Sequence, residues 1–238
     1  MKNDPNGLDT ATSYHNLGAL YREAGRYSES LPALNKALEL RRAALGRGSV
    51  QVVSTLVELA GTQRALGNLD AAKATLAQAQ SIASEKYDKN DRRHAALRAE
   101  RGRQELVAGH LDAAESELTA AVAGYRAQDM TPRLPESLGT LGEVQLRTGH
   151  PEAALASLNE ALTLWRTIVP PEHWCIADAQ SRLGEALFDS GQRLEGLKLM
   201  TEALPTLRAH RPEGDSYTLA AERRLEAASS SPPTAATH

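Results

Sequence analysis

Apolar and polar positions recur along this chain with the spacing of a helix. Ala72, Leu76 and Ala79 return as Ala114, Leu118 and Ala121, as Ala154, Leu158 and Ala161, and as Gly196, Met200 and Ala203. Steps of four and three residues keep each set on one helical face, with polar residues between them. A second stripe precedes the first, as in Tyr14, Leu17, Gly18 and Tyr21 or in Leu138, Leu141 and Gly142. Each stretch therefore predicts two amphipathic helices, and no alternation of β-branched residues predicts a strand.

A glycine separates the two stripes every time. The segments AGRYSESLPALNKAL, LGNLDAAKATLAQAQ, AGHLDAAESELTAAV, TGHPEAALASLNEAL and SGQRLEGLKLMTEAL place Gly25, Gly67, Gly109, Gly149 and Gly191 at intervals of 42, 42, 40 and 42 residues. A glycine there can take the left-handed conformation that ends a helix, and Pro151 suits the first turn of the next. So short a turn makes the two helices antiparallel. Seven residues before each of these glycines stands another small residue, Gly18, Ala60, Gly102, Gly142 or Gly184, where a neighbouring helix can cross closely. Five units of one size, covering most of the chain, are the mark of a repeat architecture.

The pattern resembles the tetratricopeptide repeat. In the first unit Tyr14, Leu17-Gly18, Tyr21, Gly25, Leu34 and Ala37 stand at that family's positions, with Ser30 in place of the first alanine. The usual unit is about 34 residues long. The longer unit here is similar to the kinesin-light-chain-like subclass, and PEHWCIADAQSRLGEAL, residues 171–187, resembles its bacterial members. In particular it is similar to the arrays that follow the catalytic domain of bacterial serine/threonine kinases. The resemblance implies an all-α, right-handed α-solenoid of five helix-turn-helix units, about 11–52, 53–94, 95–134, 135–176 and 177–215, within a 10–228 solenoid. An amphipathic helix over 216–228 is expected to cap it, with Leu219, Ala220 and Leu225 inward and Glu222, Arg223, Arg224 and Glu226 in water. Residues 1–9 are expected to be flexible and 229–238 disordered, the latter being short, polar and proline-rich. MKNDPNGLD resembles the end of an inter-repeat loop, so a further repeat or domain is expected before it.

Composition removes several function classes. A net charge of -3 gives no reason to expect nucleic acid. The single cysteine, Cys175, rules out an internal disulfide framework; the N-terminus lacks the apolar core of a secretory signal, and no apolar run spans a bilayer. The expectation is a soluble cytoplasmic protein. With one Phe, two Trp and six Tyr, its core must rest on Ala and Leu.

Candidate chemistry is sparse. LGRGS lacks the Gly-Lys of a phosphate-binding loop, and no kinase catalytic motif is present, so the kinase resemblance brings no kinase activity. His110 and His150 occupy equivalent turns about 10 Å apart, too far to share a zinc ion held at about 2 Å. His173 and Cys175 flank Trp174 as a conceivable nucleophile and base, but adjacency without an orienting group favours loop packing by Trp174 and Ile176. No catalytic residue, metal or cofactor is expected.

What remains is surface. By resemblance, the first helices line a concave groove. Its wall is expected to comprise His15, Asn16, Ala19, Arg22 and Glu23; Val57, Glu58, Gly61 and Arg64; Ala99, Glu100, Arg103 and Leu106; Gly139, Glu143 and Leu146; and Ser181, Arg182, Glu185 and Phe188. Arg22 and Arg64 form a basic ladder one period apart, while Glu143 and Glu185 form an acidic one. Together they would orient a protein or extended peptide with its acidic end at the arginines. The lysine and asparagine set of chaperone-binding members is absent, with only Asn16 in a comparable place. The alternatives are solvated helix positions with no ligand, or self-association through an exposed repeat edge.

The third unit departs from the pattern. Arg98 and Arg101 take the places of Leu138 and Leu141. Unpaired charge in a dry interface would cost several kcal/mol, so these side chains are expected to snorkel, or to pair with Glu58, Glu100 or Glu105. A rotated helix burying Ala95, Ala99 and Leu106 is the plainer expectation; anion binding by the arginines is the other.

Overall fold

A computed structural model describes residues 7–88, 91–127 and 133–230. Among the described residues there are eleven α-helices and no strand. The chain divides into two compact units, Met1–Met130 and Thr131–His238. Unit 1 holds α1 (Leu8–Glu23), α2 (Tyr27–Leu45), α3 (Val50–Ala65), α4 (Leu69–Lys86), α5 (Arg92–Ala108) and α6 (Leu111–Arg126). Unit 2 holds α7 (Leu134–Arg147), α8 (Pro151–Ile168), α9 (Trp174–Asp189), α10 (Arg193–His210) and α11 (Ser216–Ser230). Most of the expected flexible ends, residues 1–6 and 231–238, lie outside the described residues. Within them, Leu8 and Asp9 begin α1, and Ser229 and Ser230 end α11.

The helices pair in sequence order, α1 with α2, α3 with α4 and α5 with α6 in unit 1, and α7 with α8 and α9 with α10 in unit 2. Gly25, Gly67, Gly109, Gly149 and Gly191 make the hairpin turns at φ of 75, 78, 81, 80 and 94°. Side chains with a Cβ rarely adopt this left-handed region. The small residue seven places earlier works by sterics instead. A Cβ on Gly142 would lie 2.5 Å from Leu158 Cγ, so only glycine admits this helix crossing. In the last hairpin a Cβ on Gly184 would lie 2.7 Å from the Gly196 carbonyl, which brings the α9 and α10 backbones together.

Ser30, standing where the repeat usually has alanine, is fully buried. Its hydroxyl donates to the Gly18 carbonyl at 2.7 Å and lies 3.0 Å from the Thr62 hydroxyl. The polar atom is thereby satisfied inside an apolar seam that includes Leu34, Leu38, Val53 and Leu56. Arg41 is likewise buried on α2 and donates to the Gln51 carbonyl and to Thr55 Oγ1.

The first helix of each pair starts in register. Gly7, Ser49 and Asp91 precede α1, α3 and α5 at 42-residue intervals. His173 precedes α9, and Asp215 stands 42 residues later, just before α11. Ser49, Asp91, His173 and Asp215 each accept a hydrogen bond from a backbone N–H of the first turn, satisfying a donor that has no partner within the helix. By this register α11 corresponds to the first helix of a sixth unit. Its orientation corrects the expected cap: Thr218, Ala221, Arg224 and Ala228 are buried, while Leu219 is exposed. The side packed on α9 and α10 is the one that carries Arg224, because α11 follows the geometry of α9 rather than that of an isolated amphipathic helix.

Candidate binding face on the first helices

Within unit 1, α1, α3 and α5 are neighbours, and within unit 2, α7, α9 and α11. The expected groove residues lie on these helices, and most of the charged ones are already paired. Arg22 Nε donates to Glu58 Oε2 at 2.8 Å, and Arg64 Nε donates to Glu100 Oε1 at 2.6 Å. Arg103 Nε reaches the other Glu100 oxygen at 2.9 Å. The Glu58 and Glu100 side chains are only 5% and 2% exposed, so they are structural and out of a ligand's reach. Burial pushes the Glu100 carboxyl up, but Arg64 and Arg103 pull harder and hold it below the ordinary value.

Unit 2 repeats the arrangement with the signs reversed. The ninth residue after Ser49 and Asp91 is Glu58 and Glu100 in unit 1, and after His173 and Asp215 it is Arg182 and Arg224 in unit 2. Arg182 pairs with Glu143 and also donates to Asp178 Oδ2 at 2.8 Å. Arg224 Nε donates to Glu185 Oε2 at 2.9 Å, and Nη2 lies 3.5 Å from Glu143 Oε2. The Glu143 carboxyl is pushed up by burial but drawn below its ordinary value by Arg182, Arg224 and Arg147. Glu185 goes the other way. Burial raises it more than Arg224 lowers it, and Glu143 and Asp189 add to the rise.

These contacts correct the picture of two ladders of open charge. Arg22 and Arg64 are neutralised by Glu58 and Glu100, and Glu143 and Glu185 by Arg182 and Arg224, because neighbouring helices set them side by side. In unit 1 Arg22, Arg64 and Arg103 meet Glu58 and Glu100, and in unit 2 Glu143, Asp178 and Glu185 meet Arg182 and Arg224, with Arg147 also acting on Glu143. The pairing partners were already present as a signal in the sequence: Arg and Glu 36 residues apart twice in unit 1, and Glu and Arg 39 residues apart twice in unit 2.

The rest of the face is mixed: Val57, Gly61, Ala99, Gly139 and Ser181 are buried in the helix contacts, which corrects their expected place on the groove wall. His15 is half-buried, Asn16 is exposed, and Leu106, Leu146 and Phe188 are half-buried. Unit 2 has a cavity of about 310 Å³ lined by Glu143, Leu146, Arg147, Glu185, Asp189 and Arg224. A smaller one of about 80 Å³ shares Glu185, Asp189 and Arg224 and adds Phe188, Met200, Ala227 and Ala228. The Arg193 guanidinium lies 4.4 Å from the centre of the Phe188 ring.

Other expected features resolve locally. Arg101 pairs with Glu117 at 2.9 Å, not with Glu58, Glu100 or Glu105, and Arg98 is exposed; α5 instead buries Ala95, Leu97 and Ala99. His110 lies 2.8 Å from Glu105, and His150 3.1 Å from the Thr148 hydroxyl, as turn residues bonded within their own hairpins. The His173 ring nitrogen accepts from the Cys175 backbone N–H, so this pair caps a helix. Among the described residues no three His, Cys, Asp or Glu side chains converge as metal ligands do, and no helix is long and apolar enough to cross a membrane.

The sequence model of the tetratricopeptide repeat family matches residues 9–85. No curated protein sequence matches the chain. Among solved structures, a Podosopora anserina protein described as a kinesin light chain with nearly identical TPR-like repeats is 21% identical, with a TM-score of 0.59 over 84% of this chain and 95% of that one. A Rap protein solved with competence and sporulation factor is 13% identical, with a TM-score of 0.70 over 90% of this chain and 61% of that one. BtubC from P. vanneervenii is 14% identical, with a TM-score of 0.60 over 97% of this chain and 94% of that one. Residues 9–85 thus match the tetratricopeptide repeat by sequence, and the helical pairs have a tetratricopeptide-like fold.

Proposed function

We propose that this tetratricopeptide-repeat protein is a non-catalytic scaffold that holds a protein segment or extended peptide against its first helices, as an adaptor or regulatory part of a larger bacterial signalling system in the cytoplasm. The observation that carries the reading is a pair of adjoining hollows in unit 2, one with Leu146 and the other with Phe188 among charged side chains. Concave sites that combine apolar contact with a few fixed polar groups are the usual form of a binding site. The Rap protein's complex with competence and sporulation factor supports the reading at the level of fold. A photo-crosslinking residue at Leu146 should capture a partner in the native host, whereas one at exposed Asn159 on α8 should not. Equal capture from both positions, or from neither, rejects the assignment to this face.

A specific feature favours a second reading, self-association. Tyr14, Leu17 and Leu20 are 37, 39 and 61% exposed, whereas Leu56, Leu59 and Thr62, 42 residues on, are at most 4% exposed. The later set packs within the stack, while α1 presents the same kind of stripe uncovered, which suits a second copy. Light scattering should then give a concentration-dependent mass that Leu17→Glu with Leu20→Glu returns to one chain. A constant monomer mass for the unaltered protein excludes it.

A further inference from the structure

We propose that the unit 2 hollow receives a lysine or arginine side chain of the partner segment, its head group between Glu185 and Asp189 and its aliphatic stem on Phe188. The inference rests on the scaffold reading and specifies the chemistry of one of its subsites. At about 310 Å³ the cavity stands at the lower end of ligand sites, which run to about 1,000 Å³, a size suited to one side chain. The adjoining hollow of about 80 Å³, which shares Glu185, Asp189 and Arg224, adds the apolar wall of Phe188, Met200, Ala227 and Ala228, and a lysine or arginine stem packs on such surface while its head stays with polar groups.

The charges select a cation. Among the charged side chains that line the larger hollow, the carboxylates Glu143, Glu185 and Asp189 outnumber the guanidiniums Arg147 and Arg224 by one. Asp189 follows Glu185 by one helical turn and is exposed at the rim of both hollows. Both carboxyls stand above their ordinary values: burial raises each, Arg224 only partly offsets it at Glu185, and Arg193 only partly at Asp189. An added cation would relieve what the resident arginines leave. Arg147 lines the α7 side of the cavity, and Arg193 lies over Phe188, so the negative ground is confined to the Glu185–Asp189 turn. The molecule also shows the chemistry internally, since Arg182 on Glu143 and Arg224 on Glu185 are guanidiniums bound by carboxylates of this face.

The full chain should be titrated against short extended alanine-rich peptides that carry a central leucine and, two residues away, Lys, Arg, Gln or Glu. The Lys and Arg peptides should bind about tenfold more tightly than the Gln peptide, and the Glu peptide least. Asp189→Asn, an exposed position, should shrink that preference without changing the melting curve, and adding Glu185→Gln should abolish it. Binding with equal affinity for all four peptides overturns the cation subsite and leaves the scaffold reading standing. A preference that survives the double substitution also overturns it. Failure of every peptide to bind overturns both.

Discussion

Arg64 Nε lies 2.6 Å from Glu100 Oε1, joining α3 to α5 across 36 residues of sequence. The same link joins Arg22 to Glu58 one period earlier. Two such links set the neighbouring first helices of unit 1 in register, so the charges that read as a ligand surface hold the fold together. Reversing Arg22 and Arg64 to glutamate would set carboxylate against carboxylate, and would report on stability before it reported on any partner.

Glu100→Gln should therefore destabilise the protein by about 2–4 kcal/mol at neutral pH, because Arg64 and Arg103 lose the charge they face in a dry site. The folded carboxyl is held below its ordinary value. Its stabilisation is thus present above the unfolded value and is lost as pH falls through the folded one. Urea denaturation across the acid range should show unaltered protein and Glu100→Gln converging as pH falls. Equal stability of the two at neutral pH would contradict this role.

Gly142→Ala should cost about 1–3 kcal/mol by overpacking against Leu158. Gly149→Ala, at φ of 80° with open space around it, should cost about 1 kcal/mol through backbone strain alone. Denaturant melts separate these causes, since in a Leu158→Ala background the added cost of the first substitution should vanish while that of the second persists.

The corner before α11 is held by an ion pair buried under aromatic rings. Arg211 Nη2 donates to Asp215 Oδ1 at 2.7 Å, both side chains are 1% exposed, and the guanidinium lies 4.2 Å from the Trp174 ring centre. Asp215 also accepts from the Tyr217 N–H. Asp215→Asn should cost about 3 kcal/mol, since it leaves a buried guanidinium without its counter-charge. Hydrogen exchange should show the loss first in α11, with a change in Trp174 fluorescence. An α11 as protected as before would refute it.

The hairpins were legible in the sequence because their determinants are local. A glycine that ends a helix and a small-Leu-Ala stripe act within one or two turns, so a 42-residue repetition exposes them. The role of the charged side chains was not, because it depends on which residue of the next helix lies opposite, and Arg22 reads alike whether it faces water or Glu58. Only the twice-repeated offsets of 36 and 39 residues carried that information. Taken as an isolated amphipathic helix, α11 would leave Arg224 in water. Its place 42 residues after Arg182 is what marks it as a counterpart within the stack. Leu146 and Phe188, half-buried on α7 and α9, keep their place in the binding face that we propose.

Binding of a partner segment to the first helices of unit 2 can be measured by calorimetric titration of the segment crosslinked through Leu146, made as a peptide, into unaltered protein, Leu146→Ala and Phe188→Ala. Each substitution should weaken binding about tenfold or more, with the helical content unchanged. Undiminished affinity in both variants would contradict it.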